Sequence, residues 1–80
     1  MPRIHSVSAQ ERLQGLLRRV RSEAGLTQMG VAKRVGQPQS FVSKYESGER
    51  RLDLLELRAV CSAMGISLAD FIRRLEQALR

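Results

Sequence analysis

Apolar residues at helical spacing, cut at short intervals by glycine, set the narrowest limit on what this 80-residue chain can fold into. Leu13, Leu16, Leu17, Val20 and Ala24 recur on one helical face, and Gly25 ends that run. Val31, Ala32 and Val35 follow before Gly36, then Phe41, Val42 and Tyr45 before Ser47-Gly48. Leu54, Leu57, Val60, Cys61 and Met64 precede Gly65, and Leu68, Phe71, Ile72, Leu75 and Leu79 form a last stripe. Each stretch opens on a helix-start signal. Ser8 with Glu11, Asp53 with Glu56, and Ser67 with Asp70 resemble capping boxes, and Thr27 is a good N-cap. Pro38 suits a first helical position, having no amide to leave unpaired. No segment alternates with period two between hairpin turns, so strands are not expected. The pattern predicts an all-α, compact five-helix domain over 8–80, preceded by a flexible arm over 1–7.

This length supports one modest core. Trp is absent and Phe41, Tyr45 and Phe71 are the only aromatics, so Leu, Val, Ile and Ala must fill that core. Cys61 is the single cysteine, which excludes an internal disulfide and a cysteine zinc site, and it reads as a small buried residue. His5 stands alone in the arm, and Arg3 beside it reads as part of a frayed terminus. Paired carboxylates, a nucleophile with its base, a phosphate-binding glycine loop and a metal cluster are all missing from the pattern. Neither an enzyme nor a cofactor is expected. No signal peptide or membrane-length apolar run is visible, so a cytoplasmic protein is the expectation.

Charge separates the chain into two parts. Residues 1–51 hold ten Lys/Arg against four Asp/Glu, whereas residues 52–80 hold four of each. The whole excess of +6 therefore lies on the first part, as a polyanion partner would require. At about 100° per residue, Gln39, Ser40, Ser43, Lys44 and Ser47 share an arc of roughly 140° on the third helix. Phe41, Val42 and Tyr45 take the other side. Amides, hydroxyls and an ammonium can read base edges, and a helix fits the major groove. A plain solvated face has the same composition, and that alternative stands on these residues alone.

Gly25-Leu26-Thr27-Gln28, Val31-Ala32, Gly36, Gln39-Ser40, Val42-Ser43 and Glu46-Ser47-Gly48-Glu49-Arg50 resemble the lambda-repressor-like, Cro-type (XRE) helix-turn-helix family. The likeness runs on through Leu57, Val60, Met64 and Gly65, covering about residues 10–75. It implies a lambda-repressor-like DNA-binding domain with its helix-turn-helix at about 27–46, bound to double-stranded DNA and nucleoid-associated when bound. Gln39, Ser40, Ser43 and Lys44 match the family's base-facing positions. Gln28, Arg50 and Arg51 match its phosphate-binding positions, with Gln28 also steadying the first recognition residue. Arg21 and Glu46 match a structural ion pair. Gly30 departs from the pattern, because glycine inside a helix costs about 1 kcal/mol relative to alanine. It could admit DNA or a neighbouring helix, or have no role. Phe41 could pack on the domain, touch a thymine methyl or stay half exposed.

The resemblance also implies a two-fold homodimer on a palindrome, with half-site centres about 34 Å apart. The charge-neutral last third offers the surface, through a dimerisation helix at 67–79 that carries Leu75 and Leu79, with Leu54 and Leu55 nearby. The alternative is that these leucines all pack internally. A transcriptional regulator, repressor or activator, is the leading functional expectation. An antitoxin or restriction-modification controller shares the same domain, with a toxin or polymerase as a conceivable protein partner. A protein-interaction module that does not bind DNA is the rival from another class.

Overall fold

Thr27, Asp53 and Ser67 each place a side-chain oxygen where a helix begins, and these caps set the architecture. The Thr27 hydroxyl accepts from the Gly30 amide at 3.0 Å, and the Ser67 hydroxyl accepts from the Asp70 amide at 3.0 Å. Asp53 and Glu56 close a full capping box, each carboxylate accepting from the other residue's amide. The computed structural model describes residues 7–80. Over that span the helices are α1 (Val7–Glu23), α2 (Gln28–Arg34), α3 (Gln39–Ser47), α4 (Leu54–Ala63) and α5 (Leu68–Ala78). No strand occurs among the described residues.

Three boundaries differ from expectation. Val7 is already helical, so Ser8 lies inside α1 and does not cap it, and the arm gives up its last residue to the helix. Arg3 and His5 lie outside the described residues. Pro38 stands one place before α3, as an extended N-cap without a side-chain bond, and α3 runs on to Ser47. Its ring fixes φ near −65° in either setting, so the sequence pattern alone could not place the first helical turn to the residue.

Leu16, Leu17 and Val20 of α1 meet Val31, Ala32, Val42, Tyr45, Val60, Cys61, Met64 and Phe71 in one core. α3 packs on α2 and α1, while α5 packs on α4 and α1. Arg34 reaches from α2 to the Ala63 carbonyl at the end of α4, using an oxygen that the helix leaves without an internal partner. Arg74 of α5 makes a forked pair with Glu23 of α1 at 2.7 and 2.9 Å. Arg12 donates to the Ala78 carbonyl, so the middle and the C-terminal end of α5 are both tied to α1. Cys61 is fully buried and its thiol is pushed up to about 11 by that burial, which keeps it a core residue. One inward expectation fails, because Ala24 lies exposed beyond the end of α1. Leu54 and Leu79, which belong to apolar stripes and are also offered as dimer surface, face outward.

Candidate nucleic-acid interface

Val42 and Tyr45 bury one side of α3, and that packing decides what the helix can present. Gln39, Ser40, Ser43 and Lys44 all lie on its exposed side. Glu46 is turned inward and is only 3% exposed, so the open face of α3 carries no carboxylate. Gly48 ends the helix at φ +89°, a backbone conformation that glycine tolerates best. A Cβ there would also stand 2.6 Å from Gln14 Nε2 of α1, so the end of that flexible side chain would have to swing aside.

A continuous polar chain runs beneath this face. Arg21 Nε donates to Glu46 Oε2 at 2.7 Å, and Arg21 Nη2 donates to Oε1 at 3.1 Å. Arg21 Nη1 also donates to the Leu26 carbonyl, and Arg18 donates to the Glu46 carbonyl at 2.7 Å. These contacts hold α3 against α1 and the α1–α2 turn. Bonding to Glu46 raises the Arg21 pKa, with burial opposing it. Gln28 Nε2 then donates to Glu46 Oε1 at 3.0 Å, and Gln39 Nε2 donates to Gln28 Oε1 at 3.3 Å. Gln28 and Gln39, which the resemblance relates to one another, are thus in side-chain contact.

The loop after α3 is organised differently. Arg50 makes a forked pair with Glu56, at 3.1 and 2.6 Å, and donates to the Arg51 carbonyl. Its guanidinium carbon lies 4.7 Å from the centre of the Phe41 ring, which meets Tyr45 edge-on at 5.6 Å between centroids. Phe41 is therefore half-buried under Arg50. The Glu56 pKa is lowered, first by the Arg50 bond and then by the Asp53 amide. Arg51 is exposed, and its guanidinium has no hydrogen-bond partner among the described residues. Sequence reasoning missed the Arg50–Glu56 contact, although Glu56 was already marked as a capping residue six places on.

Gly30 occupies tight space. A Cβ would lie 3.3 Å from the Thr27 hydroxyl and 3.5 Å from Leu26 Cδ2, so a bare backbone leaves room for the N-cap. Leu75 packs partly on the core, whereas Leu79 is 39% exposed at the end of α5. Leu54 and Leu55 are open at 64% and 75%.

The helix-turn-helix family model matches residues 17–71, from the middle of α1 into α5. Among solved structures, an XRE-family-like protein from Pseudomonas syringae pv. tomato str. DC3000 is 43% identical, covering 86% of this chain and 84% of that one at a TM-score of 0.81. The wild-type restriction-modification controller protein C.Esp1396I is 20% identical, covering 94% and 96% at a TM-score of 0.83. The same controller, as a tetramer in complex with its natural 35 base-pair operator, is 20% identical at a TM-score of 0.82, covering 92% and 96%. At that identity the controller speaks for the fold alone. No curated protein matches. The family match over most of the chain and the 43% identity agree, and this chain belongs to the XRE-type helix-turn-helix family of DNA-binding regulators.

Proposed function

We propose that this protein is a sequence-specific transcriptional regulator that lays α3 in the major groove and acts as a homodimer on a palindromic site. The observation that carries the reading is the exposed row of Gln39, Ser40, Ser43 and Lys44 with Glu46 withdrawn beneath it. Those four side chains offer donors and acceptors to base edges, and an exposed carboxylate among them would repel phosphate. Arg51, exposed and unpaired, supplies a backbone-phosphate contact, and Gln28 keeps a second Nε2 hydrogen for another. Arg50 would have to leave Glu56 to reach a phosphate, so its first role is to brace the loop.

Leu54, Leu55 and Leu79 form the exposed apolar surface of the α4–α5 half and supply the dimer contact, with Leu75 half-committed to the core. The operator-bound controller, which has the same fold, makes an oligomeric mode of DNA binding reasonable here. The test is selection from a random double-stranded pool with the purified protein. Enrichment of a palindrome with half-sites about one helical turn apart supports the reading. Binding without sequence preference overturns it. Sedimentation of a monomer at micromolar concentration, with and without the selected DNA, removes the dimer.

A further inference from the structure

At the C-terminal end of α3 a cleft of about 420 Å³ opens between the first turns of α1 and the loop into α4. Gln10 and Gln14 line it from α1, while Ser47, Gly48 and Arg51 line it from the other side. Ser47 is exposed and shares the helical arc of Gln39, Ser40, Ser43 and Lys44, so the cleft continues the polar face of α3. Gln10 and Gln14 lie about one helical turn apart and stack on one side of α1. Both are half-buried, and their side-chain amides make no hydrogen bond among the described residues. The Gln14 amide nitrogen lies against the bare backbone of Gly48, where a Cβ would stand 2.6 Å from it. Arg51 brings a guanidinium with no partner among the described residues. Glu11 borders the cleft as well, but it is exposed and makes no ion pair with Arg51, which leaves that guanidinium free for an anion.

We infer that Gln10 and Gln14 join Arg51 in clamping one DNA backbone phosphate in this cleft, which extends the DNA-binding site from the helix-turn-helix onto the start of α1. A phosphodiester is an anion that only accepts hydrogen bonds, and it would meet one guanidinium and two amides with hydrogens to give. The charge comes from Arg51 alone. The glutamines therefore add bonds and direction without releasing further counterions. Both precede residues 17–71, the segment that marks the family, so membership of the family assigns them no role. Phosphate contacts set the register of a protein on the duplex, and this clamp would fix the end of α3 relative to one strand. The inference rests on the proposal that α3 lies in the major groove.

The test uses the full chain and the operator selected by the wild-type protein, with single phosphates replaced in turn by neutral methylphosphonates. Arg51→Ala locates the phosphate concerned, as the one whose replacement weakens the wild type but not the variant. Gln10→Ala combined with Gln14→Ala should weaken binding to the native operator about tenfold, the lower end for one hydrogen bond to a charged group. Base preferences and the slope against salt should not change, because no base contact and no cation is removed. On the operator neutralised at the phosphate that Arg51 marks, the same double variant should lose less than about twofold, since the two changes strike one contact. Gln14→Lys serves as a second variant. A cation at that phosphate should steepen the slope of log affinity against log salt by about 1 on the native operator and not on the neutralised one. Thermal melting confirms that the variants remain folded. Equal losses for the double variant on both operators, or no loss on either, overturn the clamp and leave the groove-reading proposal standing. A wild-type protein that selects no sequence overturns the groove-reading proposal, and the clamp with it.

Discussion

Arg21–Glu46 and Arg50–Glu56 are both forked arginine–carboxylate pairs, and they brace opposite sides of α3. The first lies between α1 and α3, with the side chains 20% and 3% exposed. The second lies over the loop into α4, at 39% and 31%. Burial changes what the same chemistry does. An exposed pair is screened by salt and contributes little, whereas a buried carboxylate stripped of its partner keeps its full desolvation penalty. The inner pair is therefore a fixed part of the framework beneath α3. The outer pair is a replaceable clasp that covers Phe41 and positions the loop bearing Arg51.

The largest expected effect comes from breaking the inner pair. Arg21→Leu leaves the buried Glu46 carboxylate with Gln28 as its one remaining hydrogen-bond donor, and should cost about 3 kcal/mol. For a domain whose whole stability is of the order of 5–15 kcal/mol, that lowers the melting temperature by more than about 10 °C. Chemical denaturation of wild type and variant measures the difference. A loss below about 1 kcal/mol would remove the distinction between the two pairs. Salt provides a companion check, because 1 M NaCl shortens the screening length to about 3 Å and should scarcely rescue a buried defect.

Arg50→Ala should be the milder change, and its destabilisation should shrink in high salt as the wild-type pair is screened. On DNA the order reverses for the loop. Arg51→Ala should reduce the slope of log affinity against log salt by about 1, the mark of one lost phosphate contact. Arg50→Ala should change that slope less, since its charge is already met by Glu56. Equal slopes for the two variants would show that Arg50 exchanges Glu56 for phosphate on binding.

Acid gives a third, smaller separation. The Glu56 pKa is lowered in the folded state by Arg50 and by the Asp53 amide, from an ordinary value of 4.5. A depressed carboxylate contributes its stability above its unfolded pKa and loses it as pH falls through the folded value. Stability should thus decline below about pH 4.5, and Glu56→Gln should show a shallower decline than wild type. Identical acid profiles would mean that the outer pair contributes nothing to folding.

The legible part of this molecule was its local grammar. Thr27, Asp53 and Ser67 announce helix starts because a side-chain oxygen meets an amide two or three residues away, a purely local event. Ser8 carries the same signal and is overruled, because helical structure already occupies Val7. The exposed face of α3 followed from spacing, since Val42 and Tyr45 had to go inward. Arg21 and Glu46 were paired only through family resemblance, because 25 residues separate them and nothing local joins them. The Arg50–Glu56 clasp escaped for a related reason. Arg50 read as a free cation and Glu56 as a cap, and only the path of the loop lets one carboxylate serve both the Asp53 amide and the guanidinium. The Gln28–Gln39 contact was implied by the resemblance, whereas the burial of Glu46 beside Gln28 is something no spacing reveals.

Tyr45 lies next to both pairs and offers the smallest and most exacting comparison. It directly precedes Glu46 in the chain and meets Phe41, the ring under Arg50, edge to face. Its hydroxyl is buried and has no hydrogen-bond partner among the described residues, and its pKa is driven up by that burial. A buried hydroxyl that gains no bond on folding carries a desolvation penalty with no return. Removing it while keeping the ring should be neutral, or stabilising by up to about 1 kcal/mol. Tyr45→Phe therefore tests whether the polar framework under α3 ends at Glu46 or extends through this hydroxyl. Combined with Arg21→Leu it should be additive, within about 0.5 kcal/mol, if the hydroxyl lies outside the network. A destabilisation of 1 kcal/mol or more for Tyr45→Phe alone, about the loss of one made hydrogen bond, would place Tyr45 inside the inner network and enlarge the buried side of the comparison.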